Sequence, residues 1–264
     1  MLRTVSSSLT AEVLAPATVE LQVAVAGPPP PGELLRITLD GQELQPEELA
    51  TDVGGRLHVL HVGPGRLEVT YRAQVAGRSE PAPVGPLDTS LYLRPSRYAE
   101  SDRLAATAAA ELGLTDKPAD LLRGAAAWVG GRLAYVPGSS SATDGAVDTL
   151  LAGAGVCRDY AHLAVALLRA RDVPARLVSA YAPGLSPMDF HAVVEALVDG
   201  AWQVVDATLL APRSSLVRIA TGRDAADTAF LSNYGGAVRL DTVEVSAVVD
   251  ELPADDLDHL VQLG

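Results

Sequence analysis

The chain has 264 residues, 48% hydrophobic and 20% charged, a balance that suits a globular protein with a sizeable core, built as one large domain or two small ones. Lys and Arg number 20 against 33 Asp and Glu, and the resulting charge of −13 argues against nucleic acid or an anionic membrane as partner. The single cysteine excludes an internal disulfide, no apolar run is long enough to span a bilayer, and Met1 to Ser6 has no signal-peptide core; the expected location is the cytoplasm.

Residues 1–95 read as a small β-sandwich domain. Val19 to Val25 alternates apolar and polar residues, the period of a half-buried strand. Pro28 to Pro31 breaks the chain, and Leu35 to Leu39 is a strand ended by the turn Asp40-Gly41. Arg56 to Val62 and Arg66 to Arg72 flank Gly63-Pro64-Gly65 and are expected to pair as a hairpin. His58 and His61 stand three apart, on opposite faces of a strand, and read as strand residues rather than metal ligands. Neither a metal nor any other cofactor is expected.

Residues 96–264 read as a second, α+β domain. Ser101 to Glu111 is a helix stopped by Gly113, and Lys117 to Gly130 is another, with Leu121, Leu122, Ala125, Ala126 and Val129 on one stripe. Leu133 to Val136 is short and extended, and Gly145 to Leu151 is a helical turn. A helix from Cys157 to Arg171 carries a single buried stripe that starts at the thiol, and Pro174 bars its continuation. Arg176 to Tyr181 is a strand and Ala182 to Phe190 a loop. His191 to Val198 and Ala201 to Asp206 are strands joined by Asp199-Gly200. Arg213, Arg218 and Gly222 to Asp227 form a charged connection, Val238 to Val249 a last strand, and Asp250 to Asp256 a solvated tail or short helix.

The Asp199-Gly200 hairpin fixes a register. With a two-residue loop Val198 pairs with Ala201, so His191 faces Thr208 and Asp206 faces Val193. His191 and Asp206 then share a sheet face as diagonal neighbours, roughly 7–8 Å apart between backbones, within reach of a side-chain hydrogen bond. A loop one residue longer would put them on opposite faces.

Cys157 is expected at a helix N-terminus, where unpaired N–H groups and the helix dipole favour the thiolate. A cysteine, a histidine and an aspartate supply a nucleophile, a base and a group that orients the base. Taken singly, each has a plainer reading: the thiol as a small core hydrophobe, the histidine as packing, Asp206 as the start of a turn. A metallohydrolase built on Cys157 and His191 would have a thin, unclustered ligand set.

Beyond single residues, seven blocks resemble the transglutaminase-like superfamily of papain-type thiol enzymes, in its bacterial branch with an added N-terminal β domain. They are Arg97-Tyr98-x-x-Ser101-Asp102, Tyr135-x-x-Gly138-x-Ser140, Gly155-Val156-Cys157-Arg158-Asp159-Tyr160-Ala161-His162, Val173-Pro174-Ala175-Arg176, His191-Ala192-x-Val194-Glu195, Trp202-x-x-x-Asp206-Ala207-Thr208 and Gly222-Arg223-Asp224-x-x-Asp227. The resemblance implies a papain-like core with the cysteine helix packed on an antiparallel sheet, and Cys157, His191 and Asp206 as catalytic residues. Val193 and Ala207 depart from the aromatic and the proline usual in the family, which bears on the groove rather than on those three.

Tyr135, Trp202 and Phe190 are the candidate substrate-binding residues. Tyr135 lines the site or is a core aromatic, Trp202 packs beneath the sheet or walls the groove, and the loop ending at Phe190 is a lid or wall. The implied function is a thiol enzyme acting on amide bonds of a peptide or protein through a thioester, as a peptidase or amidase. The alternatives are a protein-glutamine cross-linking transferase and a non-catalytic binding module on the same fold.

Overall fold

A computed structural model describes residues 1–264. Seven strands open the chain: β1 (Leu2–Val13), β2 (Ala17–Leu21), β3 (Leu34–Leu39), β4 (Gln42–Leu44), β5 (Glu47–Ala50), β6 (Arg56–Val62) and β7 (Gly65–Ala76). Next come α1 (Asp88–Tyr92), a 3-10 turn at Ser101–Arg103, α2 (Ala105–Glu111), α3 (Pro118–Arg132), β8 (Ala134–Tyr135), α4 (Ala146–Ala152), β9 (Ala154–Gly155) and α5 (Cys157–Arg169). The remainder is β10 (Ala175–Tyr181), β11 (Phe190–Val198), β12 (Ala201–Val205), a 3-10 turn at Arg213–Ser215, β13 (Val217–Gly222), α6 (Ala225–Thr228), β14 (Leu231–Tyr234) and β15 (Val238–Val249).

The first seven strands, joined by β14 and β15, form two facing sheets, ordered β15-β1-β7-β3-β4 and β14-β2-β6-β5. Along β1, Val5, Leu9, Ala11 and Val13 point inward while Thr4, Ser6, Ser8 and Thr10 point outward, the period of a strand with one covered face. The expected β6–β7 hairpin is not formed: β6 pairs with β2 and β5, whereas β7 pairs with β1 and β3. Gly63 and Pro64 arch the chain from one sheet to the other. Leu60 and Val62 thus meet Leu67 and Val69 through side chains in a shared core rather than through backbone hydrogen bonds.

The division expected at residues 95 and 96 follows the sequence but not the space. β14 pairs with β2 and β15 pairs with β1, so residues 231–249 complete the sandwich. Each covers a strand edge that would otherwise present unpaired N–H and C=O groups. The sandwich core also takes in Tyr181 of β10 and Val217 and Ile219 of β13, which joins it to the second sheet.

That sheet has the order β12-β11-β10-β13. One face carries α5, with α2, α3 and α4 packed against that helix and α3 also touching β11 and β12. Helix α5 is therefore buried on every side from Asp159 to Arg169, not along one stripe. Its polar residues are paired: the Arg169 guanidinium donates to the carbonyls of Ala175, Arg94 and Arg223 and to Ser96 Oγ. The region expected as a charged connection contains strand β13, and its arginines are tied down. Arg218 pairs with Glu195 at 2.6 Å and Arg213 with Asp255 at 2.9 Å. The acidic segment is accordingly neither helix nor free tail: Asp255 anchors it, and beyond it the Val204 N–H donates to the Val261 carbonyl at 2.7 Å along the edge of β12. No helix is long and apolar enough to cross a membrane.

Candidate active site

Cys157 is the first residue of α5, and the turn before it is built to expose that end of the helix. Val156 is extended, and its N–H donates to Asp159 Oδ2 at 2.8 Å. This satisfies one of the amides a helix start leaves unpaired. A Cβ on Gly155 would lie 2.6 Å from the Asp159 Cβ, so the cap requires glycine there. The Val136 N–H donates to the Gly155 carbonyl at 3.0 Å and holds β8 beside the thiol. Arg158 bonds Asp159 at 2.9 Å, Ser140 Oγ at 3.2 Å and the Ser141 carbonyl at 2.7 Å, tying the 139–141 loop to the helix start. The thiol is partly exposed, with Sγ 3.9 Å from the Phe190 carbonyl.

The hairpin register is the one its turn predicts. Val198 pairs with Ala201 and Val194 with Val205. Asp199 and Gly200 both take positive φ, +50° and +77°, as a type I′ turn demands. His191 and Asp206 consequently share a face, and His191 Nε2 lies 2.7 Å from Asp206 Oδ2. The other carboxylate oxygen accepts the Thr208 N–H at 2.9 Å and its hydroxyl at 2.6 Å. Asp206 thus starts a turn and also holds the ring. A carboxylate only accepts, so Nε2 carries a proton. Nδ1 is buried without a hydrogen-bond partner.

Burial alone would lower the His191 pKa. The charge and hydrogen bond of Asp206 outweigh it, and with Cys157 adjacent the imidazole is raised to about 10. Burial would raise the Asp206 carboxyl, but the charge and hydrogen bond of His191, then Thr208, hold it below the usual carboxylate range. A thiol beside a buried, charged imidazole that is itself anchored on a carboxylate can act as a nucleophile with an acid at hand.

The other candidates separate. Tyr135 is 39% exposed and lies close enough to Cys157 that, after burial, the thiol is the next influence raising its hydroxyl to about 12. Phe190 presents its carbonyl to the thiol while its ring stacks on Phe230 at 5.0 Å and lies tilted against Tyr181 at 5.6 Å, packed against the sandwich core. Trp202 does not wall a groove. It is 2% exposed, with the Arg176 guanidinium 3.8 Å from its ring centroid and Tyr92 edge-on at 5.4 Å. His162 is occupied elsewhere: its ring stacks on Tyr98 at 5.3 Å, its Nε2 accepts the Ala225 N–H, and burial lowers it to about 4.

Two contributors escape a reading of single residues. Thr208 buttresses Asp206 and is signalled by Asp-x-Thr, a sequence that favours a side-chain-to-backbone turn. Phe230, one of only two phenylalanines in the chain, packs on the other, Phe190, forty residues earlier, and no local pattern announces that.

Residues 106–207 match the family model described as the transglutaminase-like superfamily. The crystal structure of a protein from Cytophaga hutchinsonii, described as a "Putative Cysteine Protease", superposes with a TM-score of 0.85 at 33% identity, over 98% of this chain and 96% of that one. An uncharacterized protein of Mycobacterium leprae is 28% identical over 165 residues, 57% of this chain; the match spans 58% of that curated relative's length. The periplasmic domain of TgpA from Pseudomonas aeruginosa is a looser likeness, with a TM-score of 0.42 at 19% identity over 77% of this chain and 90% of that one.

Proposed function

This chain belongs to the transglutaminase-like superfamily, and on that premise we propose that it is a cysteine enzyme that breaks amide bonds through a thioester on Cys157, as a peptidase or amidase. The observation that carries the reading is the His191–Asp206 contact at 2.7 Å, which leaves the second ring nitrogen without a partner beside the only thiol in the chain.

In the proposed reaction the Cys157 sulfur attacks the substrate carbonyl and a C–S bond forms. The oxyanion is received by the Cys157 and Arg158 N–H groups at the start of α5, since those of Asp159 and Tyr160 already donate to the Val156 carbonyl. Removal of one such donor costs roughly 10²–10³ in rate in enzymes of this kind. His191 gives its Nδ1 proton to the leaving nitrogen, the C–N bond breaks, and a thioester remains. Water, deprotonated by the now neutral ring, attacks that thioester, and the carboxylic acid leaves as sulfur departs. Asp206 stabilises the imidazolium and holds the tautomer. Tyr135, partly exposed beside the thiol, and the backbone of Phe190 line the acyl site.

Water as acceptor is supported by the protease description of the Cytophaga relative. The test is amide cleavage followed with and without a primary amine. Free acid as main product, abolished in Cys157→Ala, supports the proposal. Amine incorporation as main product would instead make the protein a transferase, and no turnover across a peptide and amide library would favour a binding module.

A further inference from the structure

We propose that Asp189 is a cation-binding subsite at the mouth of the Cys157 cleft, which selects substrates bearing a positive charge next to the amide that is cleaved. The proposal rests on the reading of Cys157 as nucleophile.

Asp189 immediately precedes Phe190, whose carbonyl is 3.9 Å from the sulfur, and stands two residues before His191. Its Oδ1 accepts the Phe190 N–H at 2.7 Å, which restricts the carboxylate to the segment that enters β11. It is exposed and enters no ion pair, unlike Asp159, Glu195 and Asp255, each of which is held by an arginine. Consecutive Cα atoms stand roughly 3.8 Å apart, so a carboxylate one residue from the carbonyl that meets the sulfur is within reach of a group bound at the thiol. Arg158, the basic residue next to Cys157, is already committed to Asp159, Ser140 and Ser141 and does not neutralise it.

The segment that presents Asp189 is anchored at both ends. Leu185 is buried, Ser215 Oγ donates to the Pro183 carbonyl at 3.2 Å, and Leu252 packs on Gly184. On the other side the Phe190 ring is held by Phe230 and Tyr181. A free carboxylate on a fixed support beside a reacting centre recognises an ammonium or guanidinium group. Two sources would supply it: a Lys or Arg side chain of the substrate, or a free α-amino group.

Because the chain has one cysteine, thiol labelling reports this cleft alone. Rates of modification by cationic, neutral and anionic methanethiosulfonates, each normalised to free cysteine, are compared at low salt for the wild type, Asp189→Asn, Asp189→Lys and Asp52→Asn. Asp52 is an exposed residue of the sandwich and controls for the general field of the −13 charge. The expected cation-over-anion preference falls roughly three- to tenfold in Asp189→Asn, reverses in Asp189→Lys and is retained in Asp52→Asn. An equal preference in wild type and Asp189→Lys overturns the subsite.

Acylation by matched peptides then separates the sources, Lys against norleucine in one arm and free against acetylated N-terminus in the other. A preference for either cation that disappears in Asp189→Asn supports the proposal, and indifference in both arms overturns it. Charge-selective labelling with no acylation by any peptide would fail the enzyme reading while leaving the cation subsite standing.

Discussion

His191 Nε2 and Asp206 Oδ2 lie 2.7 Å apart with their side chains 0% and 2% exposed, so neither charge has solvent to turn to if its partner is lost. Removing one member of such a buried pair costs about 3–5 kcal/mol. Asp206→Ala is expected to lose that much in urea unfolding. Asp206→Asn keeps the volume but not the charge; it should destabilise less and still lower the acylation rate by roughly 10²–10⁴. Equal acylation rates in wild type and Asp206→Asn would remove the carboxylate from the mechanism.

The same pair sets a pH dependence whose sign follows from the shifts. His191 is raised from the ordinary imidazole value of about 6.5 to about 10, so its contribution to stability is full below about 6.5 and is lost as pH climbs towards 10. Asp206 is lowered, so its contribution is present above the ordinary carboxylate range and is lost as pH falls below it. Unfolding midpoints from pH 6 to 10 should decline more steeply in the wild type than in His191→Gln. The extra slope is bounded at about 1.4 kcal/mol per pH unit, one proton's worth. Parallel curves would show that the ring is not charged in the folded protein.

Glu195 is buried between two arginines, Arg176 at 2.7 Å and Arg218 at 2.6 Å, and Arg176 lies on the Trp202 ring. Burial opposes its ionisation, but the two guanidiniums hold its carboxyl low. Glu195→Ala strands two cations and is expected to cost about 3–5 kcal/mol, whereas replacing all three by apolar residues of similar volume should recover most of it. Urea unfolding of the single and triple variants makes the comparison.

The sandwich reaches the thiol through Phe230, which stacks on Phe190 at 5.0 Å. Phe230→Ala is expected to destabilise by about 1–3 kcal/mol and to slow acylation of Cys157, with Phe230→Leu restoring both in part. Full acylation activity in a folded Phe230→Ala protein would show that the two are not coupled.

What the sequence made legible was local. Asp199-Gly200 admits one tight turn, and that turn alone makes His191 and Asp206 diagonal neighbours on one face. Long-range pairing left no such mark. β1 hides among serines and threonines, and nothing local tells that its edge is filled by β15 from the far end of the chain. Gly63-Pro64-Gly65 announces a reversal of direction, but an arch between sheets and a hairpin within one share that signal. The periodicity of α5 shows an apolar stripe. It does not show that Asp159, His162 and Arg169 are covered too, because their burial depends on partners supplied by distant segments. The sequence around Trp202 favours packing over a groove wall but does not name what covers it, because Arg176 and Tyr92 come from distant segments.

The central claim is that Cys157 attacks a carbonyl with His191 as its partner, and peptide mapping by mass spectrometry after brief exposure to activated peptide esters tests it most directly. The account predicts one acyl group per chain, located on Cys157, absent in Cys157→Ala and formed far more slowly in His191→Gln. An adduct that never forms on folded wild-type protein, or that forms equally fast without the imidazole, would contradict it.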